Sequence, residues 1–160
     1  MSFPVLADLP EGTDEAAWLA ACNAVRGYCE WHIAPSVTET LTLDGPGGSV
    51  LHLPSAHVTA VASVTNNGAV MADPQWSASG MIRAGYGRWT ERFRGVVVEL
   101  THGYDECPAD VLKVLRDLVD GAGRTGVAQV TSGSHSVRYG PALDSEQRAT
   151  LDRYRLAPLP

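Results

Sequence analysis

The chain has 160 residues, 44% of them hydrophobic, with 12 basic and 18 acidic side chains and a formal net charge of -6. A chain of this length usually forms one domain and buries about two-thirds of the surface that it exposes when unfolded. Its 16 glycines and 10 prolines indicate many turns, which argues against a long helical bundle. Because the basic residues are scattered and outnumbered, the charge balance argues against tight, sequence-specific binding of nucleic acid.

The N-terminal residues M-S-F-P-V-L-A-D-L-P lack the basic and long apolar regions of a signal peptide. No later apolar run approaches the roughly 18 residues needed to span a bilayer. Three cysteines, Cys22, Cys29 and Cys107, fit free thiols in a reducing compartment better than a disulfide framework. We therefore expect a protein that stays in the cytosol where it is made and does not enter a membrane.

The first predicted element is a helix over about residues 14–31. Thr13 is the predicted N-cap, because Asp14 and Glu15 then lie in the first turn, where the helix dipole favours acids. Pro35 forbids continuation of the helix. Apolar residues recur at helical spacing and predict one buried face, with Trp18, Cys22 and Val25 as its core positions.

From Val37 the pattern changes to alternation, and residues 37–102 predict a small antiparallel β unit with short connections. Val37, Leu41 and Leu43 fall on one side of the first strand and threonines on the other. Turns are predicted at G-P-G-G and at N-N-G, whose Asn and Gly tolerate the positive φ of a tight hairpin.

A second helix is predicted over about residues 108–122, beginning at Pro108 and stopping near Gly121 or Gly123. Its buried stripe predicts core positions at Val111, Leu115 and Leu118, which should pack against the first helix. The predicted fold class is therefore α+β: a small helical bundle with an inserted antiparallel β unit.

The C-terminal region, residues 127–160, contains two short alternating runs around S-G-S and then a short helix. Asp144 and Gln147 have the spacing of a capping box. This region has too few apolar residues to fold alone, so it either packs on the body formed by residues 1–126 or is an arm that docks on a partner.

Two motifs suggest metal or catalytic chemistry. Cys29 and His32 have the spacing of half a zinc site, and His102 with Cys107 could supply the rest. However, the chain lacks the paired close spacings of zinc modules, a nucleophile elbow and a Gly-rich phosphate loop. We interpret Cys29 and His32 as core residues at a helix end and His102 as a turn residue. The sequence thus predicts no catalytic, cofactor-binding or metal-binding residues, and no enzyme.

A further motif, R-W-T-E-R-F-R at residues 88–94, interleaves three arginines with two aromatic residues. Such a segment could stack on bases or bind phosphates. Glu91 and the acidity of the chain favour a contact with protein or a turn at a strand edge.

Taken together, several segments resemble the head-to-tail adaptor proteins of long-tailed phages that infect actinobacteria. The resemblance covers about residues 13–155 and rests on these segments: A-C-N-A-V-R-G-Y-C-E-W-H-I-A-P, L-D-G-P-G-G, L-H-L-P-S-A-H-V-T-A-V-A-S-V-T, W-S-A-S-G and V-V-V-E-L-T-H-G-Y-D-E-C-P-A-D-V. Simple adaptors of this kind are small helical bundles, and the β unit is a departure shared with the actinobacteriophage versions.

The resemblance implies a non-enzymatic ring protein of the virion neck, commonly twelvefold, assembled in the host cytoplasm. Its partners would be the portal protein above and a stopper protein below, with DNA passing non-specifically through the channel. Another neck or tail-completion protein, such as a stopper or terminator, and a small metal-dependent enzyme are the alternatives. Within the C-terminal arm, the mix of aromatic, aliphatic and arginine residues predicts portal-docking candidates: Val137, Arg138, Tyr139, Leu151, Arg153, Tyr154 and Arg155.

Overall fold

A computed structural model of the chain describes residues 5–85, 87–124, 130–132, 135–137 and 143–156. Within these ranges it contains helices α1 (Glu15–Cys29), α2 (Ala109–Arg124) and α3 (Ser145–Leu151), with a 3-10 turn at Asp152–Tyr154. The strands between α1 and α2 pair only in antiparallel fashion. The protein is α+β, as predicted. No helix in the described ranges combines the length and the apolar character needed to cross a membrane.

Helix α1 begins one residue later than predicted. The carboxylate of Asp14 accepts a hydrogen bond from the backbone N–H of Ala17 at 3.0 Å, so Asp14 is the N-cap. Thr13 belongs to the preceding turn, because its own N–H donates to the carbonyl of Pro10. The helix ends at Cys29, and its C-cap, Glu30, has a left-handed backbone conformation and donates its N–H to Arg26 O.

Seven strands form two sheets between α1 and α2. The larger sheet has the order β1-β7-β3-β4, and the smaller has the order β2-β6-β5. Asn67 and Gly68, both with positive φ, form the predicted tight hairpin between paired residues Asn66 and Ala69. The strands are β1 (Val37–Leu43), β2 (Val50–His52), β3 (Val58–Asn66), β4 (Ala69–Val70), β5 (Gln75–Ser77), β6 (Met81–Arg83) and β7 (Val96–His102).

The residues that the structure describes form two hydrophobic cores. The β core lies between the two sheets and includes Val64, Ile82, Val98 and Leu100, all with essentially no exposed surface. The helical core lies between α1 and α2 and contains all six positions that the sequence assigns to it: Trp18, Cys22, Val25, Val111, Leu115 and Leu118.

Helix α2 differs from the prediction at its C-terminal end. It continues through Gly121 and Gly123 to Arg124. A glycine inside a helix costs only about 1 kcal/mol relative to alanine, so neither glycine is sufficient to end a helix that is packed on α1.

Residues 143–156 of the C-terminal region pack back on the body. Strands β8 (Val130–Ser132) and β9 (His135–Val137) form a two-stranded hairpin. Asp144 and Gln147 form the predicted capping box at the start of α3. Leu151 has no exposed surface and belongs to the helical core, and Tyr154 and Leu156 pack against the same core. For residues 143–156, therefore, the alternative in which the tail packs on its own domain describes the structure.

Candidate functional site

The structure brings His32 and His102 together at the junction between the helical core and the β unit. Their ring centroids are 4.4 Å apart with the rings nearly perpendicular, and the two residues are 2% and 1% exposed. His32 lies in the loop after α1, and His102 is the last residue of β7. The sequence spacing instead paired His32 with Cys29 and His102 with Cys107.

Hydrogen bonds fix both imidazoles. The Nε2 atom of His102 lies 2.8 Å from Oε1 of Glu39, on the neighbouring strand β1. The Nε2–H of His32 donates to the carbonyl oxygen of Pro35 at 3.1 Å. Below them, the guanidinium of Arg26 donates to His32 O and Ala34 O at 2.9 and 2.7 Å, which ties the loop to α1.

Burial sets the protonation of the groups that sequence analysis singled out. It lowers the pKa of His32 to about 4, with a smaller electrostatic contribution from the neighbouring His102. Burial also raises the pKa of Cys29 to about 12 and that of Cys107 to about 11. Because the thiolate is the nucleophile and the metal-ligating form, both cysteines are poorly suited to either role near neutral pH.

A surface pocket of about 570 Å³ opens beside the histidine pair, and Arg26, His32, Glu39 and His102 contribute to its lining. Among the residues that the structure describes, no three His, Cys, Asp or Glu side chains are arranged to hold a metal ion. The nearby Cys29 thiol points away to Leu151 O, at 3.8 Å. Among the described side chains, the pair has a carboxylate-oriented imidazole with no activated nucleophile beside it. The contact between the two rings packs the loop after α1 against the end of β7.

At the far end of the β unit, residues 88–95 form a loop that we call the tip loop. Trp89 is buried and anchors it, whereas Phe93 is 85% exposed. Arg88, Arg92 and Arg94 are also exposed. The tip loop is held to its neighbours by a hydrogen bond from Arg92 Nη1 to Asn67 Oδ1 and another from the Arg94 N–H to Asp44 Oδ1.

The predicted portal-docking residues are separated by the structure. The prediction that Leu151 contacts the portal is corrected, because this side chain is buried in the chain's own core. Tyr154 is half-buried, with its hydroxyl donating to Asp110 Oδ1 at 2.7 Å. Arg153 and Arg155 are exposed. Val137 is the last residue of β9. Arg138 and Tyr139 lie outside the described residues.

Hydrogen bonds also join residues 151–156 to the body. The Trp31 indole N–H donates to Tyr154 O, the Leu156 N–H donates to Cys29 O, and the Tyr28 hydroxyl donates to Asp152 Oδ1. The end of α1 that sequence analysis examined for metal chemistry is therefore the docking site for the chain's own C-terminal segment.

Comparison with solved structures finds the same fold in particle necks. A chain in the neck of a native GTA particle computed with C12 symmetry aligns with a TM-score of 0.58 and 17% identity, over 90% of this chain and 82% of that chain. A chain in the neck of an empty GTA particle computed with C6 symmetry aligns with a TM-score of 0.55 and 19% identity, over 96% of this chain and 86% of that one. No protein-family model and no curated protein matches this sequence.

The partner of His102 is the part of the site that sequence analysis missed. Glu39 lies at an inward-facing position of β1, in register with Val37, Leu41 and Leu43. A carboxylate among three apolar residues on the inner face of a strand is the signal that could have indicated a buried polar partner.

Proposed function

We propose that this chain is a non-enzymatic structural protein of the neck of a phage or phage-like particle, in which it forms a ring that joins the portal to the next connector protein. The observation that carries the proposal is the alignment of nearly the whole chain with chains from particle necks computed with C12 and C6 symmetry. The resemblance of the sequence to adaptors of actinobacterial siphophages supports the same role. We take the ring to be twelvefold and to be assembled in the host cytoplasm.

The chemistry of the described residues supports a structural role. The two histidines are buried and fixed by hydrogen bonds, and burial keeps the three cysteine thiols protonated near neutral pH. The formal charge of -6 fits a channel through which DNA slides, because carboxylates repel phosphates whereas clustered arginines would retain them.

The C-terminal segment remains the proposed portal-docking surface, in a changed form. Leu151 and Tyr154 hold α3 on the body, and Arg153 and Arg155 are the exposed residues that could meet the portal. We propose that Val137, Arg138 and Tyr139 also contact the portal. The chain should be monomeric or weakly associated in isolation, because a preformed portal ring raises the effective concentration of neighbouring copies.

The proposal is tested by binding to the portal protein and to the stopper protein encoded by the same genome. The full chain should co-purify with the portal, and the double variant Arg153→Glu/Arg155→Glu should do so at least tenfold less well. The matched control is Arg83→Glu, at an exposed arginine on the β unit. Binding to the stopper or to the tail without binding to the portal would identify a different neck or tail-completion protein. Binding to none of them would contradict a neck role.

A further inference from the structure

Phe93 is the most exposed large hydrophobic residue in the described part of the chain, at 85%. It lies between Arg92 and Arg94, and exposed Arg88 and Glu91 share the tip loop with it. An aromatic ring with arginines around it is the composition found at the centres of protein interfaces.

The tip loop is ordered although its aromatic residue faces solvent. The side chain of Asn66 accepts from Thr90 N and donates to Arg88 O, and the N–H of Gly45 donates to Arg92 O. A Cβ at position 45 would lie 2.0 Å from Thr90 O, so the two segments approach at a distance that only glycine permits. Because the loop is already rigid, binding through Phe93 would lose little conformational entropy.

A complementary site lies at the other end of the molecule. A pocket of about 460 Å³ is formed by residues 5–10, the turn at 105–107 and the face of α2, and we call it the acidic pocket. Val5 and Leu9, which line it, are 46% and 45% exposed. Its charged lining residues are Asp8, Asp105, Glu106 and a single arginine, Arg116. The pocket thus offers apolar surface with an excess of carboxylates, opposite in sign to the tip loop.

Strand β7 separates the two sites. Its first residue, Val96, directly follows the tip loop, and its last residue, His102, lies three residues before Asp105, the first residue of the turn that lines the acidic pocket. A strand of seven residues spans about 20 Å, so Phe93 cannot fill the acidic pocket of its own chain. When one surface of a copy binds a different surface of the next copy, the contact is head-to-tail. Such contacts close into a ring when the rotation between copies allows it.

We propose that Phe93 of one copy inserts into the acidic pocket of the next copy, with Arg92 and Arg94 facing Asp8, Asp105 and Glu106. This contact would define how neighbouring copies meet in the ring, and it rests on the proposed function because the ring itself is part of that proposal. A second copy fits the tip loop better than DNA does, because Phe93 offers apolar surface and Glu91 repels phosphate.

The native thiol of Cys107, which lines the acidic pocket, allows a direct test. Oxidation of the full-length Phe93→Cys variant should link the new thiol to Cys107 of another copy, giving a ladder of dimers, trimers and higher species. Because burial raises the pKa of Cys107 to about 11, the oxidation should be carried out at alkaline pH, where a larger fraction of this thiol is ionised. Mass spectrometry of the peptides should assign the linkage between positions 93 and 107. Since Phe93 is exposed, the variant should unfold at the same temperature as the wild type.

Two controls define the result. Phe93→Cys/Cys107→Ser should give at most dimers, linked through position 93. Thr40→Cys, which places a thiol at an exposed position on β1, should give no linkage to Cys107. Dimers linked only through position 93, or no linkage above that of the Thr40→Cys variant, would overturn the proposal. The proposal would also be overturned if Phe93→Cys gave no ladder and the Arg92→Glu/Arg94→Glu variant lost binding to DNA. That result would assign the tip loop to DNA.

Failure of this contact and failure of the neck role are distinguishable. A chain that binds the portal but gives no linkage between positions 93 and 107 keeps the neck role and loses this contact. A chain that gives the ladder but binds no neck partner keeps the contact and loses the neck role.

Discussion

The Nε2 atom of His102 and the Oε1 atom of Glu39 lie 2.8 Å apart across strands β1 and β7, where the residues are 1% and 13% exposed. This pair joins the end of the β unit to the loop after α1, because the ring of His102 also contacts the ring of His32. The hydrogen bond thus lies where the two hydrophobic cores meet.

Replacing Glu39 by alanine should lower the free energy of unfolding by about 1.5–3 kcal/mol, because the buried Nε2 of His102 loses a charge-assisted hydrogen bond. Urea denaturation measures the change. Glu39→Gln, which retains an acceptor, should lose less than Glu39→Ala. The adjacent Thr40→Ala, on the exposed face of β1, should stay within about 0.5 kcal/mol of the wild type. Equal losses in the two alanine variants would contradict the role assigned to the pair.

The stability of the protein should fall as the pH drops from about 6.5 to about 4, in part because of His32. The unfolded imidazole takes up a proton near its ordinary pKa, whereas burial lowers the pKa of the folded one to about 4. Between these two pH values the unfolded state therefore binds more protons than the folded state. The stability is unaffected by His32 above about pH 6.5 and falls as the pH decreases toward 4. The contribution is at most about 3 kcal/mol.

Urea midpoints measured across this pH range for the wild type, His32→Gln and His52→Gln isolate that contribution. His32→Gln should show a shallower dependence on pH. His52 is exposed on β2, so His52→Gln should follow the wild type. If the His32→Gln and wild-type curves are parallel, the buried neutral imidazole is not a source of the acid sensitivity.

Gly103 is required where β7 turns toward α2. Its φ is +99°, and a Cβ there would lie 2.4 Å from His32 Nε2 and 2.9 Å from Pro35 O. Gly103→Ala should therefore lower the free energy of unfolding by about 1–3 kcal/mol or more, from backbone strain and displacement of His32. Gly27→Ala is a control of opposite sign: this helical position has open space around it, and alanine should stabilise α1 by about 0.5–1 kcal/mol. Thermal unfolding of both variants provides the comparison, and a neutral Gly103→Ala would be incompatible with the described geometry.

Leu151 should behave as a core residue and not as a docking contact. Leu151→Ala should lower the free energy of unfolding by about 2–5 kcal/mol, the range for a buried leucine. A chain cut after Gly126 should be at least as unstable, because it also loses the hydrogen bonds from Trp31 and to Asp110. Denaturant unfolding of both chains tests this. If the truncated chain has wild-type stability, the C-terminal region is the independent arm that the sequence suggested and not part of the body.

Elements with strong local patterns were predictable from the sequence. The stripe from Trp18 to Val25 defined α1, and Asn67 with Gly68 defined a hairpin, because both signals lie within a few residues of chain. The capping box of Asp144 and Gln147 was predictable for the same reason. The N-cap was missed by one residue because Thr13 and Asp14 are both good caps, and only the hydrogen bond of Thr13 to Pro10 decides between them.

Contacts between distant residues were not predictable. His32 and His102 are far apart in sequence, and their meeting depends on the register of β1 with β7, which no local pattern encodes. The division of the strands into two sheets was equally unpredictable, because β2 pairs with β6, which is distant in sequence, and not with its neighbours β1 or β3. Leu151 was predicted to contact a partner because the tail has few apolar residues. In the structure this single leucine attaches the tail to the helical core, which also contains Cys29 and Trp31.

Cryo-electron microscopy of the portal protein mixed with the full chain would image the proposed ring itself. We expect a continuous ring of this chain on the portal, with the twelvefold symmetry proposed above and with residues 143–156 still packed on α1 and α2. Portal rings without added density, at concentrations where the folded chain is in excess, would contradict the proposed role in the neck.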